Sequence, residues 1–382
     1  MNAQLQGLID TVRQAARSGQ MLRLRGGGTK DFWGAPLQGE VLDTRSYAGI
    51  VSYEPSELVV TARCGTPLAE LEAALAEKGQ CLAFEPPHFG PGATVGGMVA
   101  AGLSGPARAS VGALRDFVLG VRLINGRGDD LSFGGQVMKN VAGYDVSRLM
   151  AGSWGTLGLI TEVSLKVLPV APGEATLSCA GLGQKDALEL LHRWGGQPLP
   201  LNASAWVHDG STGAAQDMLF VRLRGALAAV EAAVVRMGAD ARALGAEVTR
   251  MDPQQAAQDW QASREQTLPF FEPQDLCLWR LSVPQTAPVI ELPGLGRDAT
   301  YIEWQGGQRW LWAPASAAQA LRQAAGAVGG HATLFRASLS GGMRDKAVGA
   351  IHPLEAVQRQ IQQQLQKQFD PQGVFATSRL GL

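Results

Sequence analysis

An α+β fold in two domains, the first organised around glycine-rich loops, is predicted by three features of this 382-residue sequence. Strand-like and helix-like segments alternate through the first part without the regular strand–helix–strand repeat of a doubly wound sheet. Residues 26 to 165 hold 24 of the 48 glycines in little over a third of the chain, so the enrichment belongs to one region. At Pro169, Pro172 and Gly173 the texture changes to a region richer in Ala, Gln and Trp. The length exceeds one compact core of usual size. The expected division is 1–170, 171–350, and a C-terminal helix and tail over 351–382 that returns toward the first domain.

The elements follow in order. Leu5 to Arg17 has the apolar spacing of an amphipathic helix ending near Gly19, and Met21 to Leu24 alternates as a strand. Val41 to Asp43, Ile50 to Tyr53 and Leu58 to Arg63 extend a sheet. Thr66-Pro67 reads as a helix start, with Thr as N-cap and Pro at the first position, and Leu68, Leu71 and Leu75 form its stripe up to Gly79. Cys81 to Phe84 returns as a strand. Phe117 to Ile124 alternates, and Asn125-Gly126 signals a hairpin whose second strand includes Leu131 to Phe133. Tyr144 to Met150 is a short helix. Leu159 to Val167 alternates as a strand with one buried face. In the second region, helices are expected at 187–194, 227–244, 254–265 and 315–328. Strands are expected at 203–208, 218–224, 277–283, 301–305 and 308–312, the last two joined through Gly306-Gly307. Pro353 to Phe369 closes the chain as a helix.

Three glycine clusters carry the chemistry. Arg25-Gly-Gly-Gly-Thr29 follows the first strand, Gly90 to Gly105 is rich in small residues, and Gly152-Ser-Trp-Gly155-Thr-Leu-Gly158 leads into the strand from Leu159. From Phe84 to Pro106 there is no Lys or Arg, so an anion there would meet backbone N–H dipoles and not charges. Three such loops point to one extended ligand. A dinucleotide-binding Rossmann motif fails on spacing, since Gly90, Gly92 and Gly96 contain Pro91 and are one residue too far apart. No G-x-x-x-x-G-K-[ST] loop occurs.

Arg25 to Thr29, Pro86-Pro87, Gly92-Ala-Thr-Val-Gly-Gly97, Arg115-Asp116 with Val118 to Gly120, Gly135 to Tyr144, and Gly152 to Ile160 follow one another in order and at sensible spacing. Together they resemble the FAD-binding domain of the vanillyl-alcohol oxidase (PCMH-type) flavoproteins. The resemblance covers roughly residues 20 to 170. Glu85 to Phe89, Gly96 to Met98 and Met138 to Asp145 bring it nearest to the FAD-binding subunits of bacterial glycolate oxidase (glycolate dehydrogenase). It implies a PCMH-type FAD-binding domain with a second α+β cap domain, and non-covalent FAD. The residues it places at the cofactor are Arg25, Gly26, Gly27, Gly28, Thr29, Pro87, Gly92, Ala93, Thr94, Gly96, Gly97, Gly102, Lys139, Asn140, Gly152, Ser153, Gly155, Thr156, Gly158, Ile160 and Arg379. Trp33, Tyr144 and Trp154 are further candidates to stack on a ring. Relatives that tether the flavin commonly carry a His in the first glycine loop, where this chain has Gly28-Thr29; His88 is the alternative anchor. Family members often end in Asn-Pro-Gly-Arg, whereas this chain has Ala376-Thr-Ser-Arg379.

The resemblance further implies a glycolate or other small 2-hydroxy-acid substrate oxidised to the oxo acid, glyoxylate in the case of glycolate. A paralogous FAD-binding subunit and an iron–sulfur subunit are the implied partners. The His-rich metal motif of related hydroxy-acid dehydrogenases is missing, and His88, His192, His208, His331 and His352 form no ligand pair. No catalytic residue and no metal site is therefore named. The alternatives are a self-sufficient FAD dehydrogenase, with a cap Arg or Lys gripping the carboxylate, and a catalytically silent flavin-binding scaffold.

Composition excludes other classes. Thirty-three basic and 34 acidic residues give a net charge of −1, scattered along the chain, which argues against a nucleic-acid partner. Cys64, Cys81, Cys179 and Cys277 form no C-x-x-C pair, so no cluster or zinc site is read in this chain and electrons must leave through a partner. No run of 18 apolar residues and no secretory leader occurs, and the expectation is a cytoplasmic protein that is peripheral to the inner membrane only through partner subunits.

Overall fold

The structure, a computed structural model, describes residues 2–135, 145–211, 213–292 and 294–381. Its contacts divide the chain into two units. The first comprises Met1–Ser104, Ala113–Val170 and Pro353–Leu382, and the second Gly105–Gly112 and Ala171–His352.

In the first unit, helix α1 (Ala3–Ser18) is capped by the Asn2 side chain and stopped by Gly19 at φ 68°, a left-handed position that suits glycine. Its stripe Leu5, Leu8, Ile9, Val12 and Ala15 is buried against Leu22 of β1 (Leu22–Arg25) and Leu42 of β2 (Glu40–Asp43). β1 and β2 pair in parallel. β3 (Ile50–Glu54) and β4 (Val59–Arg63) open a five-stranded antiparallel sheet. α2 (Leu68–Ala76) buries Leu68, Leu71 and Leu75, but Thr66 is not its N-cap. The N-cap is Pro67, and the Thr66 hydroxyl instead accepts from the Gly49 N–H at 2.9 Å, stitching the loop after β4 to that before β3. The strand expected at 81–84 shrinks to β5 (Gln80–Cys81). α3 (Val95–Ala101) follows, then the short α4 (Arg108–Val111), which belongs to the second unit.

β6 (Val118–Ile124) and β7 (Asp130–Gly134) form the expected hairpin, with a different turn. Asn125 Oδ1 accepts from the N–H groups of Arg127 and Asp129, at 2.9 and 3.0 Å, so the side chain organises a five-residue loop where a two-residue turn was expected. α5 is Val146–Met150, with Asp145 as its N-cap; the expected first residue of this helix, Tyr144, lies outside the described residues. β8 (Leu159–Lys166) is the central strand, in the order β3-β4-β8-β6-β7, so it is buried on both faces except at Glu162 and Lys166. Its alternation predicted only one buried face, because the inward Ser164, between Glu162 and Lys166, resembles a solvent-facing side chain; Thr161, on the face read as buried, is polar too. Thr161 is satisfied by Arg122 O at 3.0 Å and Ser164 by Thr61 Oγ1 at 2.8 Å. β9 (Leu168–Pro169) pairs with β5.

The second unit is an eight-stranded antiparallel sheet ordered β13-β10-β12-β11-β15-β16-β14-β17. Its strands and helices are, along the chain, β10 (Gly173–Ala180), α6 (Gln184–Gly195), β11 (Leu201–Asp209), β12 (Gln216–Gly225), α7 (Leu227–Arg242), β13 (Glu247–Arg250), α8 (Pro253–Glu265), β14 (Cys277–Ser282), β15 (Thr300–Glu303), β16 (Gln308–Ala313), α9 (Ala318–Ala327) and β17 (His331–Arg336). Strands β10, β13 and β17 escaped the sequence reading. α6 and α7 pack on one face, over Leu177, Leu219, Val221 and Ile302, and α9 packs over Trp279, Leu311 and Leu334. α8 stands on the opposite face, where Trp260 Nε1 donates to Thr176 Oγ1 at 3.0 Å. The chain returns to the first unit in α10 (Ala356–Phe369), and the Leu22 N–H donates to Val374 O at 2.7 Å.

Candidate functional site

β1 ends at Arg25 and releases the chain into Gly26–Gly28. The backbone N–H groups of Gly26, Gly27, Gly28 and Thr29 find no acceptor among the described residues. Four successive unpaired donors facing a cavity are costly unless an acceptor supplies their bonds. The loop is held open from the side: Arg25 Nε bonds Asp31 Oδ2 at 2.7 Å, and Gly28 sits at φ 72° with its α-carbon against the Arg25 guanidinium.

The second loop packs on the first, backbone to backbone. A Cβ on Gly27 would fall on the carbonyl of Gly92, and one on Gly26 on the Thr94 hydroxyl. Within the expected donor row Gly92–Gly97, several N–H groups are bonded inside the protein. The N–H groups of Val95 and Gly96 are consumed by Thr66 O at 2.9 Å and Cys64 O at 2.8 Å, and that of Gly97 by Thr94 Oγ1 at 3.3 Å. Gly96 is needed for packing, since its Cβ would stand 2.6 Å from Cys64 Cβ.

The third loop is pinned to α3 by Gly152 N–H to Val99 O at 3.0 Å and Trp154 N–H to Ala100 O at 2.8 Å. Trp154 has φ 54°, a left-handed conformation that costs a bulky residue about 1 kcal/mol or more and persists only where its surroundings hold it. Its ring stacks on Trp33 at 4.0 Å and 5°, and the Arg379 guanidinium lies over it at 4.6 Å. Trp33 and Trp154 thus stack on one another.

Arg379 arrives from the C-terminal tail. Its carbonyl accepts from the Ala35 N–H at 3.1 Å, its Nη2 donates to Lys30 O, and its buried Nε has no partner. Burial pushes its pKa down to about 10. Lys30, also buried, donates to His88 O at 3.1 Å. His88 itself meets Glu72 Oε2 at 2.9 Å.

One cavity gathers Arg25, Gly26, Gly27, Gly28, Thr29, Thr94, Gly96, Gly97, Gly155, Gly158, Ile160 and Arg379 of the expected residues. Pro87, Gly92, Ala93, Gly102, Gly152, Ser153 and Thr156 do not line it; several brace the loops from behind, as in Gly102, whose Cβ would meet the Gly152 N–H, and Thr156, whose Oγ1 donates to Ser153 O at 2.7 Å. Lys139 and Asn140, like Tyr144, lie outside the described residues. The sequence reading missed Lys30, Asp31, Thr44, Cys64 and Ala100, which also line the cavity. Cys64 is inert there, its thiol pushed up to about 12 by burial. Unpaired N–H groups, a buried guanidinium with an unused donor, and walls of glycine fit a diphosphate-bearing cofactor.

A second arrangement, unforeseen in the sequence, lies within the other unit. Glu303, 5% exposed, accepts from Trp310 Nε1 and Gln308 Nε2, both at 2.7 Å, and from Ser263 Oγ at 3.3 Å. Desolvation raises its pKa. Gln308 Oε1 in turn accepts from Arg280 Nε at 2.6 Å. The Arg280 guanidinium lies over Trp304 and Trp310, at 5.2 and 5.9 Å, and among the described residues it has no ion pair. Burial and the nearby Arg108 lower its pKa to about 10. The signal was present in the hairpin: alternation puts Tyr301, Glu303, Gln308 and Trp310 on one face of β15 and β16.

Comparison with known proteins agrees with the cavity. A family model described as "FAD binding domain" matches residues 3–144. The chain is 44% identical over 375 residues to the glycolate oxidase subunit GlcE of Escherichia coli strain K12, covering 98% of this chain and 97% of that protein. It is 33% identical over 156 residues to the glycolate oxidase subunit GlcD of Bacillus subtilis strain 168, covering 40% of this chain and 33% of that one. The mitochondrial D-lactate dehydrogenase [cytochrome] of Arabidopsis thaliana is 31% identical over 156 residues, 41% of this chain and 27% of its own. Among solved structures, an alkyldihydroxyacetonephosphate synthase superposes with a TM-score of 0.65 at 14% identity, over 97% of this chain and 73% of its own. FAD is the cofactor that the family likeness indicates.

Proposed function

The chain belongs to the family of PCMH-type FAD-dependent oxidoreductase subunits that includes the glycolate oxidase subunit GlcE of Escherichia coli, and from that premise we propose that it is the FAD-binding subunit of a multi-subunit glycolate (2-hydroxy-acid) dehydrogenase. In this reading glycolate is oxidised to glyoxylate, and the electrons leave through an iron–sulfur partner. The GlcE likeness, which runs over nearly the whole of both chains, carries the proposal.

Bound FAD supplies a two-electron acceptor. The rest is work for the chain's own residues. The donors of Gly26 to Thr29 hold the diphosphate without a covalent bond, and Arg379 sets a positive charge beside it. Gly155, Gly158 and Ile160 let the third loop pass close to the cofactor. Arg280 is positioned to grip a substrate carboxylate, since Gln308 and Glu303 fix its Nε edge and leave its other donors to an anion.

The likeness over 156 residues to a glycolate oxidase subunit of another name, GlcD, supports a second, related flavoprotein subunit beside this one. Among the described residues no helix is long and apolar enough to cross a membrane. The proposal expects this chain to co-purify from its native cell with a paralogous FAD subunit and an iron–sulfur subunit, and expects glycolate-dependent dye reduction from the complex but little from the chain alone. A rate from the isolated chain equal to that of the complex overturns the subunit role. The unpaired Arg280 would then favour a self-sufficient dehydrogenase.

A further inference from the structure

Beneath α8, on the face of the second unit's sheet opposite α6 and α7, lies a cavity of about 800 Å3. That is the size of a small-molecule site, where roughly 300–1,000 Å3 is usual. It is far above the voids that protein interiors tolerate. The cavity is built in. α8 is tethered at both ends of the span, by Trp260 Nε1 to Thr176 Oγ1 at 3.0 Å over β10 and by the Ser263 and Tyr301 hydroxyls at 3.1 Å over β15. Between those posts β11 and β12 supply the floor, where the small side chain of Ala205 leaves room.

The lining selects its occupant. Phe220, Trp260, Phe270 and Tyr301 give aromatic surface on which a ring can lie. Asp209, Asp259 and Asp298 also line it, and no Lys or Arg does. One cation of this face, Arg222, lies over the Trp260 ring at 4.9 Å and is tied to Asn202 Oδ1 at 2.8 Å, outside the lining. His208 meets Asp217 at 2.7 Å. The field of the two nearer aspartates is felt at Tyr301, whose hydroxyl is pushed upward first by burial and then by Glu303, Asp259 and Asp209. A hydroxy-acid anion is disfavoured here by charge, and a two-carbon acid is too small for the space.

We propose that this cavity is a binding site for an apolar, ring-bearing organic cation, held by aromatic faces and aspartates. Rings attract a cation through their negative faces, and carboxylates at the same site add charge attraction. The site is independent of the FAD cavity and of the glycolate assignment.

The test uses the full FAD-loaded chain and three probes of similar shape: 1-methylquinolinium, neutral quinoline at pH 8, and quinoline-2-carboxylate. Titration calorimetry is expected to show saturable binding of the cation, with the neutral and anionic probes at least about tenfold weaker, the weight of one cation–π contact joined to a charge pair. Asp259→Asn is expected to weaken the cation by about three- to tenfold. Ala205→Phe is expected to abolish binding while the flavin absorbance is retained. Equal binding of the neutral or anionic probe, no saturable binding of the cation, or undiminished binding in both variants overturns the proposal. Should Ala205→Phe fail to fold, Asp259→Asn and the probe series decide alone.

Discussion

Replacing Arg379 by Gln removes the one guanidinium that reaches the first unit's cavity from the C-terminal tail, and with it the positive charge that the proposed function sets beside the diphosphate. FAD affinity is expected to fall about ten- to a hundredfold, measured as flavin released on dilution, with circular dichroism unchanged. Unchanged affinity would place the diphosphate elsewhere. Gly96 behaves differently. Its Cβ would press on Cys64 Cβ and leave the N–H bond to Cys64 O no room, so Gly96→Val is expected to lower stability by about 1–3 kcal/mol in denaturant titration even without flavin. A variant that loses FAD at full apoprotein stability would restore the simpler view that this glycine faces the ligand. The sequence showed that glycines cluster here but not what each one avoids. Gly27 makes way for the carbonyl of Gly92, a contact between loops separated by more than sixty residues that no local pattern displays.

At the scale of elements, the C-terminal tail is a working part of the first unit. The Asp370 carboxylate accepts from the N–H groups of Val374 and Phe375, at 2.8 and 2.7 Å, which turns the chain after α10 and delivers Phe375 to the core of α1 and β1. Removing residues 376–382 is expected to leave the far-ultraviolet spectrum intact and to strip most of the flavin, because buried Thr377 and Arg379 and their contacts are lost while no helix or strand is cut. Full flavin content in the truncated chain would rule that out. α10 itself buries no residue, and Ile361 is 56% exposed, so Ile361→Glu is expected to change the stability of the isolated chain by under about 0.5 kcal/mol. Elements with strong periodicity, such as α1, α6 and β6, were legible within a residue or a few. Those set by long-range pairing were not: β10 begins at Gly173, itself part of the proline–glycine stretch that read as a boundary, and it exists because β12 and β13 flank it. Thr66 likewise had every local mark of an N-cap, but the Gly49 N–H claims its hydroxyl.

For the whole molecule, the sequence disclosed the kind of cofactor and most of the residues that line the first unit's cavity, since glycine loops and their order survive in plain text. It concealed the donors' actual division of labour and the Arg280–Gln308–Glu303 chain, which strand alternation assembles from two sides of a hairpin. If Arg280 grips a carboxylate, Arg280→Met in the assembled complex raises KM for glycolate or lowers the rate while flavin content stays at the wild-type level; unchanged kinetics would move the substrate to another subunit. The central claim, a chain whose backbone donors hold FAD non-covalently, is tested most directly by the visible spectrum of the purified protein before and after acid precipitation. A yellow protein whose FAD passes into the supernatant is the predicted result, whereas colour retained in the pellet, or no FAD bound even after reconstitution, would contradict it.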